Sequence, residues 1–301
     1  MADKIIHGMI CGQTIRFCLI SGKEMVQTAQ AVHGLSRVAT AALGRQLLIT
    51  SVLASQLKNR TDTITTIISG NGPSGNLVCV GRDAGLVKGY ATEPATELQL
   101  RPDGKLDVGG YVGRRGKLTI IRDLGLKEPY IGMCNLVSGE IAEDFAQYFT
   151  ASEQQPSLVY LGVREEAESG NVIGAGGLLI QPMPGCPDEQ ISRVEAEARN
   201  MTKLTQILSE GVSPEDAVTQ ILGMLEPETT AVFSPAFSCD CTRDRLEQAL
   251  LSIGEKELTD ILDHEGEAEL TCQFCLKKYH FNREELTFLL NSAKAGSMDG
   301  E

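Results

Sequence analysis

Two closely spaced cysteine pairs near the C-terminus constrain the fold of this chain most strongly. The pairs are Cys239-Asp240-Cys241 and Cys272-Gln273-Phe274-Cys275, with thirty residues between them. Four thiolates in two close pairs suit a tetrahedral zinc ion in a closed site, with zinc–sulfur bonds of about 2.3 Å. The sequence therefore predicts one Zn²⁺ per chain, with the ligands Cys239, Cys241, Cys272 and Cys275.

The segment that carries these cysteines, residues 239–290, is small. About fifty residues bury too little apolar surface to be stable alone, whereas metal binding supplies roughly 10–16 kcal/mol in comparable modules. Loss of the metal is therefore expected to unfold the segment. Because four sulfurs complete the ligand shell, we expect His264 and His280 to be solvated or packed rather than bound to the ion.

The spacing alone leaves two interpretations of this metal site open. In the first, zinc is an inert structural element of a small domain. In the second, the site responds to oxidation, because cysteines two or three positions apart can meet the Cα separation that a disulfide requires. Two such short loops would be too weak to replace the metal. The second interpretation makes the site a redox-controlled folding switch.

The remaining five cysteines occur singly. We expect them to stay reduced and to act as small hydrophobic side chains. No run in the chain approaches 18 consecutive apolar residues, and the opening residues do not resemble a secretory leader, so we expect a cytoplasmic protein without a membrane segment. The single cysteines are Cys11, Cys18, Cys79, Cys134 and Cys186.

The charge of the chain is unevenly distributed. Residues 1–186 hold 17 basic and 17 acidic side chains, whereas residues 187–301 hold 10 and 23, so the formal charge of −13 lies entirely in the second part. Contact with phosphate backbones requires a positive surface that releases counterions. Nucleic acid is therefore not an expected partner.

Residues 1–186 are predicted to form an α+β domain with a mostly antiparallel sheet, because strands and helices are grouped rather than alternating. We expect one long buried helix over 30–59 and a second, capped by Ser138, that runs to about Gln155. Glycine-rich turns between apolar runs predict the strands and a further hairpin. The predicted strands span 64–69, 76–81, 86–92, 158–164 and 171–181, and the hairpin spans 105–121.

Prolines at 182, 184 and 187 indicate a domain boundary. Residues 187–238 are predicted to be a marginally stable helical connector, with amphipathic helices over 188–210 and 214–225 that lie on the first domain, on the C-terminal domain or on both. In the C-terminal domain, 239–290, we expect helices over 243–253 and 255–262 and a β-hairpin over 267–281. Residues 291–301 are predicted to be a flexible tail.

The cysteine pattern, followed by Tyr279 and Phe281, resembles the zinc centre of the redox-regulated heat-shock chaperone family of about 33 kilodaltons. Thr242-Arg243-Asp244-Arg245 stands where that family usually has Ser-x-Glu-Arg, and Cys186 is outside its pattern. Further similar segments follow in the family's order. They are AALGRQLL (41–48), GNGPSGNLV (70–78), GKLDVGGYVG (104–113), VSGEIAEDFAQYFTASEQQPS (137–157) and AGGLLIQPMPG (175–185).

This resemblance implies a stress-response holdase rather than an enzyme. The reduced, zinc-bound form is then inactive; on oxidation Cys239–Cys241 and Cys272–Cys275 form disulfides, zinc leaves, and the C-terminal domain and connector unfold. The resemblance also implies dimerisation of the oxidised form, binding of unfolding client proteins without ATP, and their transfer to ATP-dependent foldases.

Two other functions remain as alternatives. A thiol-disulfide oxidoreductase needs a free Cys-x-x-Cys pair at a helix N-terminus. A zinc-ribbon adaptor with purely structural zinc could bind protein or, with a basic face, nucleic acid. The motif Gly70-x-Gly72-x-x-Gly75 is not expected to bind a nucleotide, because a strand rather than a helix is predicted after it.

Overall fold

The computed structural model describes residues 2–298, and their side chains as far as residue 291. The chain divides into two compact units, Met1–Ser238 and Cys239–Glu301. The fold is α+β, as predicted, with three antiparallel or largely antiparallel sheets. The strands are β1 Lys4–Ile10, β2 Ile15–Ser21, β3 Thr63–Gly70, β4 Asn76–Arg82, β5 Leu86–Ala91, β6 Gly116–Asp123, β7 Tyr130–Asn135, β8 Leu158–Glu165, β9 Val172–Pro182, β10 Glu228–Phe233, β11 Ala236–Phe237, β12 Ala268–Thr271 and β13 Lys278–Phe281. The helices are α1 Lys23–His33, α2 Arg37–Ala54, α3 Val108–Val112, α4 Ala142–Glu153, α5 Asp188–Met201, α6 Leu204–Ser209, α7 Pro214–Leu222, α8 Arg243–Ser252, α9 Glu255–His264 and α10 Arg283–Met298.

The N-terminal unit contains two sheets. The five-stranded sheet has the order β10-β1-β2-β9-β8, and the six-stranded sheet has the order β11-β5-β4-β3-β6-β7. Helix α2 packs against strands of both sheets and is buried on all sides, as expected for a helix without a polar face. The main hydrophobic core therefore surrounds α2. The predicted strands 64–69, 76–81, 86–92, 158–164 and 171–181 are confirmed to within two residues at each end.

The single helix predicted over 30–59 is wrong, because two helices occupy this part of the chain. Gly34 adopts a left-handed conformation (φ 57°) and ends α1, and the side chain of Ser36 accepts a hydrogen bond from the backbone N–H of Ala39 and begins α2. Helix α1 begins earlier, at Lys23, where the carboxylate of Asp3 accepts hydrogen bonds from two backbone N–H groups.

The hairpin predicted over 105–121 is also wrong. Asp107 caps the short helix α3 through a 2.9 Å hydrogen bond from the N–H of Gly110, and β6 pairs with β3 and β7 instead. A Cβ atom at Gly70 would lie 1.9 Å from the carbonyl oxygen of Val112, so only glycine permits α3 to approach the end of β3 this closely.

Helix α4 has the predicted buried stripe, but Ser138 does not cap it. The buried carboxylate of Asp144 accepts hydrogen bonds from four backbone N–H groups ahead of the helix, at 2.7–3.3 Å. A carboxylate at this position also interacts favourably with the helix dipole. The buried stripe consists of Ile141, Phe145, Tyr148 and Phe149.

The connector helices pack against the five-stranded sheet. The helix predicted over 188–210 is divided at residues 202–203 into α5 and α6, whereas α7 begins as predicted, with Ser213 accepting from the N–H of Asp216. Strands β10 and β11 were not predicted; β10 adds to β1 at the edge of the sheet. A second hydrophobic cluster joins Val194, Met201, Leu204, Ala217, Val218, Ile221, Leu222 and Leu225 of the connector to Ile6, Ile10, Phe17, Leu19, Leu178 and Ile180 of the sheet.

The C-terminal unit contains the predicted helices α8 and α9 and the predicted hairpin, formed by β12 and β13. Helix α10, Arg283–Met298, was not predicted and extends through most of the predicted tail; the last three residues of that tail lie outside the part of the chain that the structure describes. The core of this unit is small. Its buried members are Leu250, Leu258, Tyr279, Phe281, Leu286, Leu289 and Leu290.

Candidate metal centre

Each cysteine pair occupies a tight local structure. Cys239 and Cys241 precede α8, whose first turn is capped by the side chain of Thr242. Cys272 and Cys275 lie in the turn between β12 and β13, where the N–H of Cys272 donates to the carbonyl of Lys277 at 3.0 Å and the N–H of Leu276 donates to the carbonyl of Cys272 at 2.8 Å. The hairpin therefore presents the second pair at its tip.

The four sulfur atoms form one cluster, in which all lie within 4.8 Å of one another. Sγ of Cys239 lies 3.7 Å from Sγ of Cys272, and Sγ of Cys241 lies 3.4 Å from Sγ of Cys275. In a tetrahedron with metal–sulfur bonds of about 2.3 Å, the sulfurs are about 3.8 Å apart. All four cysteines are free thiols. The donor set and its spacing therefore fit one tetrahedral metal ion.

Tyr279 adds a polar group to this cluster. Its hydroxyl lies 3.2 Å from Sγ of Cys241 and 3.1 Å from the carbonyl oxygen of the same residue, so its one proton can be donated to either atom. In the sequence, Tyr279 stands out only as a member of the motif that resembles the chaperone family. Its alternation with buried Phe281 along β13 places both side chains on one face of the hairpin, and this spacing is the signal that could have identified it.

The thiols of the cluster differ in acidity. Burial opposes ionisation of Cys241, but hydrogen bonds from the Tyr279 hydroxyl and the neighbouring thiols lower its pKa to about 7. Burial raises the pKa of Cys239 and of Cys275, and hydrogen bonds with the neighbouring thiols add to the increase at Cys239. Because a metal ion binds thiolates, Cys241 is more readily prepared for ligation than Cys239 or Cys275.

Charged side chains connect the elements around the cluster. Arg243 of α8 donates to Glu285 of α10 at 2.7 Å and to the carbonyl oxygen of His280 at 2.9 Å, and its guanidinium carbon lies 4.3 Å from the ring centre of Phe281. Arg245 pairs with Asp240, between the first two cysteines. These contacts join α8, α10 and the hairpin around a small core.

The two nearby histidines lie outside the cluster. Nδ1 of His264 is 2.9 Å from the carbonyl oxygen of Asp260, and His280 is 75% exposed and lies 3.0 Å from Glu269. Among the side chains as far as residue 291, no second group of three or more metal-binding residues is found. Of the single cysteines, Cys11, Cys18 and Cys79 are buried, and Cys134 and Cys186 are half-buried.

The glycine motif at 70–75 connects β3 to β4. A strand therefore follows it, as predicted, and it lacks the helix N-terminus that binds phosphate in dinucleotide sites. No helix within residues 2–298 has the length and apolar character needed to cross a membrane.

Comparison with known proteins agrees with this architecture. The model of the family described as Hsp33 protein matches residues 3–282. A 33 kDa chaperonin of Alkaliphilus oremlandii is 44% identical over 96% of this chain and 96% of its own, and one of Clostridioides difficile is 41% identical over 96% and 99%. The crystal structure of the 33 kDa chaperonin (Hsp33 homologue) of Thermotoga maritima superposes with a TM-score of 0.86, at 34% identity over 98% of this chain and 100% of that chain. This chain therefore belongs to the Hsp33 family of chaperones and carries a cluster of four cysteines in its C-terminal unit.

Proposed function

We propose that this protein is a redox-regulated holdase, inactive when its cysteines are reduced and hold zinc, and active after oxidation. The observation that carries the proposal is the single cluster of four sulfurs, within 4.8 Å of one another, in a unit with only a small hydrophobic core. Cys239, Cys241, Cys272 and Cys275 are the proposed ligands. Zinc, when bound by all four, links the segment before α8 to the tip of the β12–β13 hairpin.

The oxidation step balances with peroxide as the oxidant. Four thiols and two peroxide molecules give two disulfides and four water molecules, so four electrons leave the sulfurs. The proposed products are Cys239–Cys241 and Cys272–Cys275. These local disulfides leave the hairpin without a covalent link to the segment before α8. A crosswise pairing, Cys239–Cys272 with Cys241–Cys275, would link the same two elements that the metal links.

The position of strand β11 next to Cys239 connects oxidation of the cysteines to release of the connector. Strand β11 has only two residues, ends at Phe237 and pairs with β5, and Cys239 follows after a single residue. Unfolding of the C-terminal unit therefore removes the structured segment that follows β11. Release of the connector then exposes the apolar side chains of α5–α7 and the sheet surface beneath them, which are buried against each other in the second cluster. Such a surface can hold unfolding clients.

The remaining parts of the proposal follow the family resemblance. The oxidised form dimerises, holds client proteins without ATP and transfers them to ATP-dependent foldases after reduction. A reducing cytoplasm keeps the resting protein in the zinc-bound form.

Peptide mapping tests the pairing. After peroxide treatment and trypsin digestion, local disulfides leave the peptides with Cys239 and Cys241 separate from those with Cys272 and Cys275. The mass of each of these peptides is then lower, by two hydrogen atoms, than the mass of the same peptide with reduced cysteines. A peptide cross-linked between the two segments would contradict the proposed step.

A further inference from the structure

The N-terminal unit contains a cavity of about 660 Å³ that the redox mechanism does not use. Its walls come from α2, the loop before α3, β8 and the start of α6. We name it the basic pocket, because five cationic side chains line it. These are Arg37, Arg45, Arg101, Lys105 and Arg164.

The carboxylates that line the basic pocket are already paired. Nη1 of Arg45 lies 2.8 Å from Glu140, and Nη1 of Arg101 lies 3.3 Å from the other oxygen of the same carboxylate. Nε of Arg37 lies 3.2 Å from Glu165, whose side chain is only 1% exposed. Nη2 of Arg101 also lies 3.3 Å from Asp103, at the edge of the pocket. Three carboxylates therefore pair with three arginines.

Two cations of the basic pocket remain without an acidic partner. Lys105 and Arg164 form no ion pair with any residue of the described chain, and they come from different walls. The five cations and the three carboxylates that pair with them give a net formal charge of +2, in a chain of −13. At physiological ionic strength, charges more than about 8 Å from the cavity are largely screened by salt. The electrostatic attraction of a ligand into the cavity therefore depends mainly on this local charge.

We propose that the basic pocket binds a small molecule that carries two or more linked phosphate groups. Guanidinium groups donate paired hydrogen bonds to phosphate oxygens, and cations from three separate elements match a charge that is spread over a di- or triphosphate. The volume lies within the range of roughly 300–1,000 Å³ of small-ligand sites. The shared chemistry fits both a nucleotide and an inorganic polyphosphate.

The ligand also reaches the connector. Thr202, Thr205 and Gln206 line the same cavity, and the Tyr160 hydroxyl of β8 donates to the carbonyl of Thr202 at 3.0 Å and lies 2.5 Å from the hydroxyl of Thr205. The pocket is therefore complete only while α6 is docked. A ligand that binds only the docked form stabilises it. On the proposed function, this slows activation by oxidants.

Calorimetric titration of the reduced, zinc-loaded full chain with sodium tripolyphosphate tests the site. Arg164→Glu and Lys105→Glu are each expected to weaken binding by at least about tenfold, since each reverses a charge in the cavity. Arg114→Glu is the matched control, because Arg114 is exposed, lies outside the pocket and undergoes the same change in charge. Zinc content is measured after each titration.

Three results would overturn the assignment: absence of binding, equal weakening in the control, or equal affinity for inorganic phosphate. Titration with ATP distinguishes a nucleotide ligand from an inorganic polyphosphate. Tighter binding of ATP than of tripolyphosphate indicates a nucleotide, and equal binding indicates that only the phosphate chain is recognised. These titrations use no oxidant, so they are independent of the redox switch. If tripolyphosphate binds but does not slow activation by peroxide, the coupling to the connector is wrong and the site stands.

Discussion

The hydroxyl oxygen of Tyr279 lies 3.2 Å from Sγ of Cys241, on the face of the hairpin that also carries the unit's small core. A donor at this distance stabilises the thiolate more than the thiol, which accounts for the low pKa of Cys241. Groups that hydrogen-bond to a metal ligand commonly determine the orientation of that ligand and the affinity of the site for the metal. Tyr279 therefore belongs to the candidate metal centre as well as to the core.

Tyr279→Phe keeps the ring and removes the hydroxyl. We expect the variant to bind zinc about tenfold more weakly, because loss of such an outer partner costs roughly 10- to 100-fold in metal affinity. Competition with a chromogenic chelator measures the change. Tyr130→Phe, on exposed strand β7, is the control and should behave as the wild type. Equal zinc affinity in the two variants would exclude this role of Tyr279.

Cys239→Ser removes one proposed ligand. We expect the reduced protein to lose zinc and the C-terminal unit to melt at a lower temperature, because the small core cannot replace the metal. Metal analysis and calorimetry of the full chain measure both effects. Cys186→Ser changes a half-buried cysteine outside the cluster and should retain one zinc per chain. A wild-type melting curve for Cys239→Ser would contradict ligation by this residue.

Ile221→Ala loosens the connector from the five-stranded sheet. Ile221 is buried in the second cluster, and truncation of such a side chain costs roughly 2–5 kcal/mol. We expect the reduced variant to hold a denaturing client in a light-scattering assay, although its zinc is retained. Met224→Ala, at a 74% exposed position, is the control. If Ile221→Ala becomes sensitive to trypsin in the connector but remains inactive, the connector surface does not hold clients.

Glu165→Gln tests the buried carboxyl beside Arg37. Burial raises the pKa of Glu165 from 4.5 to about 7, and hydrogen bonding to Arg37 only partly offsets this. The folded state therefore binds the proton more tightly than the unfolded state, and the resulting stability is present below pH 4.5 and lost as pH rises through 7. This difference corresponds to at most about 3 kcal/mol.

Urea unfolding of the N-terminal unit within the reduced full chain, at pH 5 and pH 8, measures this effect. The wild type should lose more stability between these values than Glu165→Gln, whose amide keeps the neutral form at both. Burial also raises the pKa of Asp3, to about 6. Ionisation of Asp3 therefore lowers the free energy of unfolding between pH 5 and pH 8 in both proteins, and this contribution cancels when they are compared. An identical pH dependence would show that Glu165 titrates as an exposed carboxyl does.

Much of the fold follows from local patterns in the sequence. Apolar runs between glycine-rich turns identified β3, β4 and β5 of the six-stranded sheet, whereas β7 and β11 were not predicted. Ser213 with Pro214 identified the start of α7. The break at Gly34 was missed because the apolar residues continue beyond it with nearly helical spacing. Gly44 lies inside α2 although glycine generally weakens a helix, and a Cβ atom there would lie 2.8 Å from Val163. Only the tertiary packing shows that glycine is needed there.

The cluster of four cysteines was easier to predict than its surroundings. Four cysteines at short spacing specify their own partners, whereas the role of Tyr279 depends on the register of the hairpin. The basic pocket was not predicted, because its cations come from three separate elements that are spread over residues 37–164. Arg37 and Arg164 become neighbours only when α2 packs against β8.

On the proposed function, loss of zinc, formation of disulfides and exposure of a client-binding surface are one event. Released zinc, free thiols and suppression of client light scattering, measured in one sample during peroxide treatment, test this coupling. We expect about one zinc ion to be released and four thiols lost per chain, with holdase activity rising at the same rate. Equal suppression by the reduced and the oxidised protein would contradict the account.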